Sequence, residues 1–76
     1  MSVYTADNIR ITRFRGEEEM GSCHSCFASN YETSICKLGP NVDHLNRIEF
    51  STATLYLCDT CMRKLARRCL EALGET

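Results

Sequence analysis

"LYLCDTCMRKL", residues 55–65, sets two cysteines three apart between an apolar run and a basic amphipathic stretch. A second Cys-x-x-Cys stands upstream in "GSCHSCF", residues 21–27. Cys23, Cys26, Cys58 and Cys61 therefore form C-x2-C-x31-C-x2-C. Two intervening residues let a tight turn aim both sulfurs at one point, and the amides of such a turn spread the sulfurs' charge. Two pairs supply a tetrahedral thiolate cage with Zn–S distances of about 2.3 Å. One structural Zn2+ is the expected occupant, because zinc is redox-inert and accepts four sulfurs. Iron takes the same ligands, and spacing does not separate the two metals.

The size of the chain makes a metal useful. Seventy-six residues suffice for one domain, read here as residues 1–76 with a zinc-finger core over about 21–73. Chains this short bury little, and disulfides, metals or partner chains often supply the missing stability. Hydrophobic residues make up 43% and charged residues 25%, which excludes wholesale disorder. The formal charge is −1, so the chain lacks the strong basicity that marks nucleic-acid binders. No apolar run approaches the roughly 18 residues of a membrane span. "MSVYTADNIR", residues 1–10, has neither the basic start nor the apolar stretch of a signal peptide. A cytoplasmic location is expected, where thiols stay reduced. Six cysteines there suggest metal ligands plus buried thiols, not a disulfide framework.

The rest of the chain reads as α+β. "NIRITRF", residues 8–14, alternates as a short half-buried strand with Ile9 and Ile11 on one face. "RGEEEMGS", residues 15–22, is a loop whose glutamates form a solvated face. "TSICKL", residues 33–38, suits a second strand, and "GPNVDHLN", residues 39–46, a turn or long hairpin loop. In "RIEFSTATLYL", residues 47–57, Ile48 and Phe50 are even, whereas Leu55 and Leu57 are odd. A bulge or tight turn near Ser51–Ala53 would reconcile them. Residues 60–73 have a helical period, with Met62, Leu65, Ala66, Cys69, Leu70 and Leu73 in one apolar stripe. Asp59 or Thr60 can cap the start and Gly74 the end. Loop knuckle, hairpin, then a second pair at a helix N-terminus is the order of a treble-clef zinc finger.

"SCHSCF", "KLGP" and "LYLCDTCMRKL" together resemble the N-terminal zinc-binding domain of the ClpX unfoldase family, over residues 21–72. The gap between the pairs is longer here than in that family. The resemblance implies Cys23, Cys26, Cys58 and Cys61 as zinc ligands. It also implies a protein-interaction module that dimerises and receives adaptors or substrates.

Among the other candidates, Cys69 is expected as a small core residue on the helix stripe, and Cys36 as a buried thiol or a replacement ligand. His24 and His44 are expected at the surface. Four cysteines close the metal shell, whereas catalytic zinc keeps an open position. The deaminase pattern H-x-E…P-C-x-x-C and the haem pattern Cys-x-x-Cys-His are both absent. The chain is therefore expected not to be an enzyme. Its expected role is a stand-alone adaptor or regulator with a protein partner, or a homodimer, because Ile9, Ile11, Phe14, Ile48, Phe50 and Tyr56 exceed what one helix stripe covers. The alternative is nucleic-acid binding through Arg63, Lys64, Arg67 and Arg68 on the helix.

Overall fold

Residues 2–31 and 39–75 are described by a computed structural model of the chain. They form β1 (Ser2–Ala6), β2 (Ile9–Arg15), β3 (His44–Glu49), β4 (Thr54–Cys58) and α1 (Asp59–Leu73). The four strands make one antiparallel sheet in the order β1-β2-β3-β4. A small α+β architecture with one C-terminal helix is thus observed, and Cys36 and the strand expected over 33–38 lie outside the described residues.

β-branched and aromatic residues favour the pleated surface and populate β2 and β4. The β3–β4 turn falls at residues 50–53, closed by Phe50 N–H donating to the Ala53 carbonyl at 2.8 Å. It resolves the change in parity, because Ile48 sits directly opposite Leu55 and the two share a face. Phe50 lies beyond the strand and is exposed. β1 was not foreseen. All five of its residues are exposed, so it carries no alternation to read. Its two-residue connection to β2 has Asp7 at φ 51°, a left-handed position that Asp tolerates.

The two sheet faces have different covers. On one, Phe14 and Leu45 are buried beneath the loop that follows β2. Gly21 lies over Leu45, with the Leu45 and Tyr56 side chains nearest to where its Cβ would stand. Glu19 of that loop accepts from Arg47 Nη1 at 2.6 Å and from the Tyr56 hydroxyl at 3.0 Å. It is therefore a tie across the loop, whereas Glu17 and Glu18 remain exposed as expected. The buried positions of β2 are Thr12 and Phe14, the opposite face from Ile9 and Ile11. Ile9 is exposed and Ile11 only half-buried, because the loop covers its face more fully than the helix covers the other.

The other face receives the start of α1. Arg13, Asn46 and Leu57 share it, and Asp59 reaches back to both Arg13 and Asn46. Beyond Met62 every described helix residue is exposed. Leu65, Leu70 and Leu73 are 43%, 45% and 71% accessible, and Cys69 is exposed, not a core thiol. The expected apolar stripe exists, but the sheet meets only its first turn. The extents of 43 × 22 × 20 Å and a radius of gyration of 13.3 Å reflect this projection. A globular chain of this length has a radius of about 11.4 Å. Cys58 occupies the N-cap without a side-chain cap bond, and Asp59 is the first helical residue, so neither Asp59 nor Thr60 is the cap. Gly74 ends the helix in a left-handed conformation, φ 75°, as expected.

Candidate metal centre

The first knuckle is a tight turn. Phe27 N–H donates to the Cys23 carbonyl at 3.1 Å, and Phe27 itself is left-handed at φ 64°. Ser25 N–H donates to Cys23 Sγ at 3.4 Å. The knuckle is fastened to β4 by reciprocal bonds: His24 N–H donates to the Tyr56 carbonyl, and Tyr56 N–H donates to His24 Nδ1. His24 is exposed, as expected, and its ring leans on Tyr56 with centroids 5.4 Å apart. His44 is not in a long loop but opens β3, half-buried opposite Arg15.

The second pair comes from the β4–α1 junction, with Cys58 closing the strand and Cys61 in the first helical turn. The helix N-terminus turns free amides and the positive end of the dipole towards sulfur anions. All four Sγ atoms lie within 4.8 Å of one another, and Cys26 and Cys58 are 3.6 Å apart. A tetrahedron with 2.3 Å Zn–S arms has edges of about 3.8 Å, so the set fits a divalent ion with little adjustment. The described residues offer no second such group. Cys23, Cys58 and Cys61 are buried and Cys26 half-buried.

Proton affinities within the set are divided. Burial raises Cys23, but the amides of Cys26, Cys58 and Ser25 outweigh it and bring its thiol down to about 6. Burial pushes Cys58 up to about 12, reinforced by the neighbouring sulfurs, and burial likewise raises Cys61. Four sulfur anions at this spacing repel one another strongly, and a divalent cation is what lets them ionise together.

Sequence reasoning missed the supports of the site. Asn46 is fully buried, Nδ2 donating to the Leu57 carbonyl and to Asp59 Oδ1. Arg13 completes the group, with Nη1 donating to Asn46 at 3.0 Å and to Asp59 at 2.7 Å. The guanidinium beside Asp59 holds that carboxyl below its ordinary range. Gly39 was read as punctuation and as part of the Gly-Pro in the family resemblance, not as a packing position. A Cβ there would stand 2.5 Å from the Phe27 carbonyl and 2.6 Å from the Cys26 oxygen. These are backbone atoms of the knuckle, which cannot swing aside. Gly39→Ala is expected to cost about 1–3 kcal/mol and to loosen the metal. Denaturation of the metal-loaded chain and competition with a chromophoric chelator measure the two effects. Wild-type values in both would mean the close approach is not needed.

No protein-family model, curated protein or solved structure matches the chain. The likeness to the ClpX domain thus stands on the quoted residues alone. Among the described residues no helix is long and apolar enough to cross a membrane.

Proposed function

We propose that this chain is a recognition module of treble-clef type, folded around one Zn2+ held by Cys23, Cys26, Cys58 and Cys61. It acts as a stand-alone adaptor or regulator of a larger protein machine and is not an enzyme. One observation carries the reading. The ion-sized sulfur cluster fixes the root of α1, while the apolar stripe of that helix continues into solvent. Four protein sulfurs fill a tetrahedral shell, which leaves no open position for substrate and gives the metal a structural part. Apolar helix surface with nothing packed on it marks an interaction site. The partner is a protein, and a homodimer is one form it can take.

Nucleic-acid binding is the second reading. It is favoured by the exposure of Arg63, Lys64, Arg67 and Arg68 along one helix. Affinity capture with the metal-loaded chain, with and without nuclease, separates the two. Retention of a defined protein after nuclease is expected. Retention that needs nucleic acid, falls steeply with salt and disappears in Arg67→Ala/Arg68→Ala would replace the first reading with the second. Native mass spectrometry of the same sample counts metal and subunits together.

A further inference from the structure

We propose that the groove between α1 and β4 receives an acidic amphipathic segment of a partner protein, apolar side chains inward and carboxylates on the rim. The inference rests on the recognition role and names its surface and the chemistry of its partner. The groove has a volume of about 390 Å³. Leu55, Leu57, Leu65 and Cys61 supply an apolar floor, and Lys64 and Arg68 stand on its helix side. The floor does not stop at the groove. Half-buried Leu55 pairs with Ile48, which is already buried, Ile48 with half-buried Ile11, and Ile11 with Tyr4, so the row opens to solvent at an exposed tyrosine.

Charge says what covers this surface. On the sheet face that carries the row, no strand position is Asp or Glu. The strand carboxylate, Glu49, lies on the opposite face, where Glu19 joins it at Arg47. Asp59, at the root of the helix, is neutralised by Arg13. The strand and loop carboxylates Glu49 and Glu19 are thus paired with Arg47 on the far face, and Lys64 and Arg68 stand beside the groove. Arg68 donates to Glu71 at 2.7 Å, but this is an exposed pair one helical turn apart. Such pairs contribute little in water, so a partner's carboxylate can take Glu71's place at small cost.

Other occupants fit less well. A second copy docked helix against helix in this groove would set Lys64 and Arg68 against the same two charges. A nucleic-acid strand would satisfy the basic rim but leave the leucine floor unused, and no aromatic ring lines the groove for a base to stack on. An acidic helix or strand with leucine-like residues on one face uses both floor and rim.

The test is fluorescence anisotropy with the full metal-loaded chain. The probe is a labelled helical peptide of about four turns, with leucine at helical spacing on one face and glutamate elsewhere. A twin carries lysine for glutamate, and a single-stranded oligonucleotide serves as competitor. The glutamate peptide is expected to bind at least about tenfold more tightly than its twin. Leu65→Ser should weaken it by about tenfold, and Lys64→Glu/Arg68→Glu should reverse the preference. These positions are exposed on the helix, so metal content and circular dichroism should stay at wild-type values. Equal binding of the two peptides, indifference to the substitutions, displacement by the oligonucleotide, or occupation of the groove by a second copy in sedimentation would each overturn the proposal. A captured protein that binds Lys64→Glu/Arg68→Glu as well as wild type overturns the groove and leaves the recognition role standing. Absence of any protein partner overturns both.

Discussion

Chelation of the purified chain is expected to abolish the β-sheet signal in circular dichroism, and one equivalent of Zn2+ to restore it. The non-metal interior is too small to persist alone. Of the eight buried hydrophobic residues among those described, Cys23, Cys58 and Cys61 belong to the sulfur cluster, leaving Phe14, Ala28, Leu45, Ile48 and Leu57. The accessible surface is 5547 Å². A globular protein of 8.6 kDa exposes about 4,700 Å², so this fold buries less than its mass allows. Structural zinc contributes on the order of 10–16 kcal/mol in small metal domains, enough to make binding and folding one event. Cys58→Ser and Cys61→Ser should behave like the chelated wild type at moderate zinc, because each takes one arm from the cage and the sulfur that anchors α1.

Proton competition gives the same prediction a sign. The unfolded metal-free chain carries ordinary thiols, which hold their protons at neutral pH, and burial in the fold only raises those of Cys58 and Cys61 further. Metal must displace at least those two, so affinity should fall by about a hundredfold or more per unit as pH drops. Affinity that does not change with pH, or a metal-free chain with an unchanged spectrum, would defeat the metal-folding account. A colourless loaded protein that takes Co2+ with tetrahedral thiolate bands supports zinc; a coloured iron centre as isolated would replace it.

The convergence of Cys23, Cys26, Cys58 and Cys61 was easy to read because a Cys-x-x-Cys turn is local, and two copies in one short chain have few other uses. The β3–β4 turn was legible for a similar reason: the parity of Ile48 against Leu55 demands a reversal between them. What failed to show was anything decided by what lies on top. Ile9 and Ile11 look like a core face, yet Thr12 and Phe14 are covered, because a polar loop with Asn30 and Glu19 at its base lies over them. The helix stripe is periodic whether or not something packs against it, so Cys69 could not be assigned inside or outside from its period. Asn46 sits in "HLNRIE", where a polar residue at a strand position reads as solvent-facing. Its burial depends on Asp59 and Arg13, 13 and 33 residues away in the chain.

Asn46 is therefore the second position at which a large effect is expected. It is 0% exposed and makes three side-chain hydrogen bonds, two donated and one accepted. Asn46→Ala would leave the Leu57 carbonyl without this donor, next to the Cys58 ligand, and remove a donor from the Asp59 carboxylate. Lost bonds to the Asp59 carboxylate and the Arg13 guanidinium, with one lost bond to a carbonyl, together amount to about 3 kcal/mol. Denaturation of the metal-loaded protein measures it. Asn46→Asp separates geometry from charge. It keeps the shape and the acceptor for Arg13, but sets a second carboxylate 2.9 Å from Asp59, where Nδ2 now donates. Like charges this close raise the proton affinity of one of them. In wild type the depressed Asp59 adds stability above the ordinary carboxylate range and loses it as pH falls. In Asn46→Asp the raised carboxyl has the opposite sign, its stability present at low pH and lost as pH rises through the folded value. The deficit of Asn46→Asp relative to wild type should thus narrow as pH is lowered from about 7 towards about 5, while that of Asn46→Ala should not. Parallel behaviour of the two variants would mean that Asn46 fills space without bridging β3 to the root of the helix.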